Sequence, residues 1–118
     1  MSEQYLSVSV EQVAPAVTVL TPIGEIDRDS SPALAEAAEP PLDADGCRLI
    51  VDLSGVTFCD SAGINLLFRL HRRVAARGGA VSVAGARGIV LQALTVINMS
   101  RMLSMHPTLD EAVREATA

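Results

Sequence analysis

The feature that most constrains the fold is the segment at residues 47–53, which reads CRLIVDL and is almost entirely apolar. A strand of this kind has to be covered on both faces, which is typical of the centre of a parallel sheet. The chain then breaks at CDSAG, continues over residues 64–76 with helical apolar spacing, and returns to a short strand, AVSVAG. Strand, helix and strand in this order predict a right-handed parallel crossover and therefore an α/β domain.

Two alternating segments precede that crossover. LSVSVEQV places Leu6, Val8 and Val10 on one side, which predicts a half-buried strand, and AVTVLTPIG follows as a second strand rich in β-branched residues. The few residues between them favour an antiparallel hairpin. Ser31 before Pro32 then predicts a helix start with the serine hydroxyl as cap.

Other helix boundaries can also be read from the sequence. Pro40 and Pro41 predict that the first helix stops after about two turns. IVLQALTVIN predicts a helix that ends at Asn98, a residue that tolerates the left-handed conformation. The final segment, TLDEAVREA, begins with a capping box of Thr108 and Glu111. The predicted order is ββαβαβαα: an α/β fold with a mixed sheet of about four strands, an N-terminal hairpin and about four α-helices, forming one domain over residues 1–118.

Composition excludes several classes of partner. Among 118 residues, 14 are acidic and 9 basic, for a net charge of −5, which disfavours nucleic acid and anionic membranes as direct partners. The start, MSEQYLSVSV, lacks the pattern of a signal peptide, and no apolar run reaches the ~20 residues of a membrane helix. Cys47 and Cys59 are the only cysteines and form no CxxC pair, which favours a reducing cytosol, with Cys59 as a small buried residue. We therefore expect a cytoplasmic domain.

The CDSAG junction lies where a strand gives way to a helix, the place where sites gather in parallel α/β sheets. One interpretation is purely structural: Asp60 or Ser61 caps the helix, and Gly63 allows close packing. The other interpretation starts from the helix faces. The apolar side of the helix holds Gly63, Leu66, Leu67, Leu70 and Val74, and the opposite side holds Ser61, Asn65, Phe68 and Arg72. A phenylalanine in line with the serine on that polar side predicts a partner-binding stripe that starts at a modifiable hydroxyl.

Enzyme chemistry is poorly supported by the sequence. Ser61 is not in a GxSxG elbow, His71 is expected to be a packing residue, and His106 is expected to be a surface histidine near a loop. The glycines of AGARG are explained by a strand-to-helix turn, since no GxxxxGK[ST] occurs. We expect no catalytic residues, no metal site, no cofactor and no enzymatic activity.

Three segments carry a family resemblance. GEID at residues 24–27, VDLSGVTFCDSAG at 51–63 and the closing MHPTLDEAVREA resemble the STAS domain, and more narrowly the bacterial anti-sigma-factor antagonists. The resemblance extends over nearly the whole chain. The DSxG junction after an apolar strand is its most specific part.

The resemblance implies a phosphorylation switch. In this family the unphosphorylated antagonist binds an anti-sigma factor that is also a serine kinase of the GHKL type, and so releases a sigma factor for transcription. Phosphorylation of the DSxG serine ends that interaction, and a PP2C-type phosphatase reverses it. Ser61 matches the phosphoacceptor, Asp60 the aspartate before it, and Asp27 the family's loop aspartate. ATP and metal belong to the kinase, and the antagonist itself is expected to be a monomer or weak dimer.

Two positions depart from the family pattern. Ile64 and Asn65 follow Gly63 where relatives often read DSxGLG, and Asn98 replaces the usual glycine after the third helix. An alternative function therefore stays open: a STAS-type regulatory or scaffold subunit of a transport or signalling complex. A serine hydrolase is a third and weaker hypothesis.

Overall fold

A computed structural model describes residues 6–118 of the chain. The elements, in chain order, are β1 (Leu6–Ala14), β2 (Val17–Ile26), α1 (Ser31–Leu42), β3 (Arg48–Asp52), β4 (Val56–Cys59), α2 (Ser61–Ala75), β5 (Ala80–Ala84), α3 (Gly88–Val96), a short 3₁₀ helix (Met99–Arg101), β6 (Ser104–His106) and α4 (Leu109–Thr117). The α/β fold with a mixed sheet, an N-terminal hairpin and four α-helices is confirmed.

The sheet has six strands in the described part of the chain, where about four were predicted. Its order is β1-β2-β3-β5-β6, with β4 paired to the far end of β2. Only β1 and β2 are antiparallel, which confirms the hairpin, and the other pairs are parallel. The strand predicted to be central is central, because β3 lies between β2 and β5 and Leu49, Ile50 and Val51 are fully buried.

Helices cover both faces of this sheet. Helices α1, α2 and α3 pack on one face around a core that includes Leu20, Leu67 and Leu94. Helix α4 covers the other face with Ala112 against Val19. The predicted apolar side of α2 is confirmed, since its five buried residues are Gly63, Leu66, Leu67, Leu70 and Val74.

Both strands that the sequence did not predict are short. Strand β4 begins only four residues after β3 ends, and it pairs with Gly24–Ile26 beyond the stretch of β2 that pairs with β3. Strand β6 has three residues at the edge of the sheet. His106 ends this strand and is part-buried, with Nε2 2.7 Å from Glu115 Oε1 but without hydrogen-bond alignment. The expectation of a surface histidine at this position was therefore wrong.

Helix α1 begins at Ser31, as predicted, but the capping role of Ser31 and the stop at the prolines were wrong. Ser30 is the N-cap residue, and the Ser31 hydroxyl only approaches the carbonyl of Arg28 at 3.5 Å. The helix continues through Pro40 and Pro41 to Leu42. The two prolines lie in the last turn, and their carbonyls accept hydrogen bonds from the amides of Asp43 and Ala44, both at 3.3 Å.

Two further details agree with the sequence prediction, and one does not. Asn98 is left-handed, with φ 58°, directly after the Ile97 that caps α3. The Thr108 hydroxyl accepts a hydrogen bond from the amide of Glu111 at 3.2 Å, as the capping box predicts. Val10, in contrast, is 49% exposed although it was predicted to share the buried side of β1, because it faces an open recess beside Pro40 and Pro41.

Candidate functional site

The Ser61 junction is built from the ends of two neighbouring strands. Strands β2 and β4 run parallel and end together at Ile26 and Cys59. The amide of Asp60 donates a hydrogen bond to the carbonyl of Ile26 at 3.0 Å. The residue after β2, Asp27, therefore lies beside the start of α2.

Asp60 is the helix cap at this junction. Its extended backbone ends β4, and its Oδ1 accepts hydrogen bonds from the amides of Ala62 at 2.9 Å and Gly63 at 3.3 Å. These bonds satisfy two of the amides that every helix start leaves without partners. Ser61 is the first residue of α2 and is exposed, and among residues 6–118 its hydroxyl makes no hydrogen bond. Of the two caps that the sequence allowed, the structure uses Asp60.

Gly63 is required by the packing under the junction. A Cβ at this position would lie 2.6 Å from Cys59 Sγ and 2.7 Å from Ile26 Cγ2, well inside contact distance. The first turn of α2 can therefore rest directly on the ends of β2 and β4. Burial, and secondarily the charge of Asp60, raise the pKa of the Cys59 thiol to about 11, so this cysteine is an inert part of the packing.

The loop after β2 is held by reciprocal bonds. Asp27 Oδ1 accepts from the amide of Ser30 at 2.9 Å, and Ser30 Oγ accepts from the amide of Asp27 at 2.9 Å. Ser30 Oγ also donates to the carbonyl of Glu25 at 2.7 Å. Because Ser30 is buried, this exchange fixes the position of Asp27 relative to the sheet.

Together these elements form an open depression of about 540 Å³, which we call the Ser61 depression. Its lining residues are Asp27, Arg28, Asp29, Asp60, Ser61, Ala62 and Asn65. Four of the residues singled out from the sequence thus come together: Asp27, Asp60, Ser61 and Asn65. Arg28 and Asp29 were not predicted as site residues, although both directly follow GEID in the chain. Three carboxylates face one guanidinium here, so the depression is acidic.

Two of the predicted residues lie outside the depression. Phe68 is part-buried and packs against the main core cluster, so it is not an isolated exposed aromatic residue. Arg72 is exposed but lines a different groove, between α1 and α2. Ser61 and Arg72 are eleven residues apart on one helix, which corresponds to about 16 Å along its axis.

The histidines lie away from Ser61. His71 Nδ1 accepts a hydrogen bond from the amide of Val81 at 3.2 Å, which is the packing role that the sequence favoured. Neither His71 nor His106 lines the Ser61 depression. Across residues 6–118, no group of three His, Cys, Asp or Glu side chains is arranged to hold a metal ion, and no helix is long and apolar enough to cross a membrane.

Comparisons with known proteins agree with this architecture. Residues 8–112 match the family model of the STAS domain, so the chain belongs to the STAS domain family. Among solved structures, an anti-sigma factor antagonist from Mycobacterium paratuberculosis is similar, with 28% identity, a TM-score of 0.83 and coverage of 96% of this chain and 95% of that one. No sequence among the curated proteins that were compared matches this chain.

More distant structures share the fold. Unphosphorylated SpoIIAA, an anti-sigma factor antagonist, has 18% identity and a TM-score of 0.80 over 94% of this chain and 95% of its own. The murine anion transporter Slc26a9 has 21% identity and a TM-score of 0.73, over 86% of this chain but only 18% of its own. The same fold therefore occurs both in antagonists of similar length and in a small part of a transporter.

Proposed function

We propose that this chain is an anti-sigma factor antagonist that is switched off by phosphorylation of Ser61. In the unphosphorylated state it binds an anti-sigma factor that is also a GHKL-type serine kinase, and a sigma factor is released. The observation that carries the proposal is that two neighbouring residues have different roles at the start of α2. Asp60 caps α2, whereas the exposed Ser61 hydroxyl is not used by the helix.

The charge of the Ser61 depression explains how a phosphate would act. A phosphoserine adds about −1.5 to −2 charges. At Ser61 that charge would be added beside Asp27, Asp29 and Asp60, and within the described part of the chain Arg28 is the only cation that lines the depression. The cap and its backbone bonds need not change. Phosphorylation would thus alter the charge of the surface at the contact and leave the fold in place.

We assign the partner-binding face to Asp27, Asp60, Ser61 and Asn65, with Phe68 at its border. Asp27 is fixed by its exchange of bonds with Ser30, so the face is preorganised for binding. Arg72, which the sequence placed in the same stripe, lies about three turns further along α2. Its part in binding the kinase would be peripheral.

In this scheme the chain is a substrate and not an enzyme. ATP and its metal ion would be bound by the kinase, and a PP2C-type phosphatase would remove the phosphate. We further propose that the chain acts in the cytoplasm as a single domain, as a monomer or weak dimer. No histidine is within reach of Ser61, which argues against serine hydrolysis.

The direct test is incubation with candidate anti-sigma kinases encoded by the same genome, with ATP, followed by mass spectrometry. We expect one phosphate on Ser61. Ser61→Ala should stay bound to its kinase in the presence of ATP, and Ser61→Asp should not bind. Ser104→Asp, which adds the same charge at an exposed serine of β6, is the matched control and should bind like the wild type. If Ser61→Asp also binds normally, the switch hypothesis is wrong.

Phe68 requires a milder substitution than truncation. Because its ring packs against the core, Phe68→Ala would lower stability as well as affinity. We expect Asn65→Ala and Phe68→Leu to weaken the complex while the folded fraction stays unchanged. If both variants bind the kinase with the affinity of the wild type, this part of α2 does not belong to the binding face. Recovery of a transport protein in place of a kinase would favour the alternative function as a subunit of a transport complex.

A further inference from the structure

A second surface lies between α1 and α2, away from the Ser61 depression. It is a groove of about 590 Å³, which we call the arginine groove. Ala35, Leu66 and Leu70 contribute aliphatic atoms to its floor, and its rim carries Glu39 with Arg69, Arg72 and Arg73. Three of the nine basic residues of an acidic chain are therefore gathered along one groove.

The charges of the groove are only partly neutralised. Arg73 makes two hydrogen bonds to Glu39, at 2.8 and 3.2 Å. Arg69 and Arg72 are exposed, and neither has an ion-pair partner among residues 6–118. Two guanidiniums thus remain available beside an aliphatic floor. The spacing of the three arginines, at i, i+3 and i+4, places them along one side of α2.

We propose that the arginine groove is a docking site for an acidic amphipathic helix of a protein partner. Such a helix would lay its apolar residues on the floor and its carboxylates against Arg69 and Arg72. Guanidinium groups bind carboxylates in a bidentate geometry, and two packed helices accept a third in the groove between them.

The chemistry of the groove favours a helix over other anionic ligands. Among residues 6–118 no aromatic side chain lines it, so a nucleotide base would find no stacking surface. The aliphatic floor suits apolar side chains, which inorganic phosphate does not have. A net charge of −5 disfavours a flat anionic membrane, because the whole chain would be repelled while only the groove is attracted.

The groove acts independently of the proposed switch. Arg69 and Arg72 are about 12 and 16 Å from Ser61 along the helix, which is roughly one and a half times and twice the distance over which physiological salt screens a charge. A partner in the arginine groove would therefore be insensitive to phosphate on Ser61. The antagonist could hold one partner constantly and exchange another.

The test uses the full chain, labelled with ¹⁵N, and a synthetic helical peptide with leucines on one face and glutamates on both sides of it. We expect the peptide to shift amide signals of α1 and the C-terminal half of α2. Arg69→Glu/Arg72→Glu should weaken binding about tenfold or more, since two attractions become repulsions. The control is Arg101→Glu/Arg114→Glu, which makes the same change in net charge at exposed sites outside the groove. The control and Ser61→Asp should both bind the peptide like the wild type.

Several outcomes would overturn the proposal. If the control variant weakens peptide binding as much as Arg69→Glu/Arg72→Glu does, the loss is caused by net charge and not by the groove. If a peptide with lysines in place of glutamates binds as tightly as the acidic peptide, the arginines do not bind carboxylates. Signal changes confined to α3 or to the Ser61 depression would place the peptide elsewhere. Binding of ATP, inorganic phosphate or phosphatidylglycerol vesicles at the groove, without binding of the acidic peptide, would assign the arginines to another anion.

Discussion

The amide of Asp60 donates a hydrogen bond to the carbonyl of Ile26, 3.0 Å away, and this bond ties the start of α2 to the end of β2. One side of the Ser61 depression is thereby fixed to a central strand of the sheet. The other side, at Asp27, is fixed by its exchange of bonds with Ser30. The acidic surface around Ser61 is therefore a direct product of two parallel strands that end together.

The first prediction tests whether Asp60, and not Ser61, stabilises the start of α2. Asp60→Ala should lower the free energy of unfolding by about 1 kcal/mol, because the amides of Ala62 and Gly63 lose their acceptor. Ser61→Ala should change it by less than about 0.5 kcal/mol, as expected of an exposed side chain without a structural bond. Urea denaturation of both variants, monitored by circular dichroism, measures the difference. An equal loss for Ser61→Ala would mean that the hydroxyl is part of the cap after all.

A second prediction concerns the contact beneath the cap. Gly63→Ala should lower the free energy of unfolding by about 1–3 kcal/mol, because the added methyl group meets Cys59 Sγ and Ile26 Cγ2. This expected loss is the net value after subtracting the gain of up to about 1 kcal/mol that alanine brings to a helix. Cys59→Ala should rescue part of the loss, since it removes one of the two atoms. Strictly additive losses in the double variant would contradict the proposed steric cause.

The features that the sequence predicted well are those with strong local signals. The buried side of α2 is set by apolar spacing, and the centrality of β3 by a segment with no polar face. The break between a strand pattern and a helix pattern at CDSAG likewise predicted the position of the Ser61 junction. It could not place Phe68 or Arg72, because helical periodicity assigns a side of the helix but does not show where neighbouring α1 and the core lie.

The features that were missed depend on tertiary context. Strand β4 exists because β2 continues past the end of β3 and offers a free edge for pairing. A local sequence pattern cannot show where such an edge will be. Strand β6 is three residues long and is defined by its pairing with β5. Pro40 and Pro41 were misjudged because their effect depends on how near the end of the helix they lie.

A third prediction tests the end of α3. Asn98 has φ 58°, a conformation that costs a residue with an ordinary Cβ about 1 kcal/mol or more. Asn98→Ala should therefore lower the melting temperature, whereas Asn98→Gly should maintain or raise it, because glycine adopts this backbone angle without steric cost. Differential scanning calorimetry of the two variants gives the comparison. The opposite ranking would show that the asparagine side chain itself matters more than its backbone angle.

The last prediction concerns stability in alkaline solution. Burial, together with the charge of Asp60, raises the pKa of Cys59 from 9.0 to about 11 in the folded state. The unfolded chain therefore loses this proton first as the pH rises. The stabilising contribution is complete below pH 9 and is lost between about pH 9 and 11, for a total of about 3 kcal/mol. Burial also raises the pKa of Cys47, which adds to the effect in the same direction.

The chain is well suited to this measurement because it contains no lysine and only one tyrosine, so few other groups titrate in that range. Guanidinium unfolding under reducing conditions at pH 8, 9, 10 and 11 should show stability falling with pH. Cys59→Ala should be less stable than the wild type at pH 8 but lose less stability by pH 11, and Cys47→Ala/Cys59→Ala should give the flattest profile. Parallel profiles for all three proteins would mean that the thiol of Cys59 is not shielded from water by the first turn of α2.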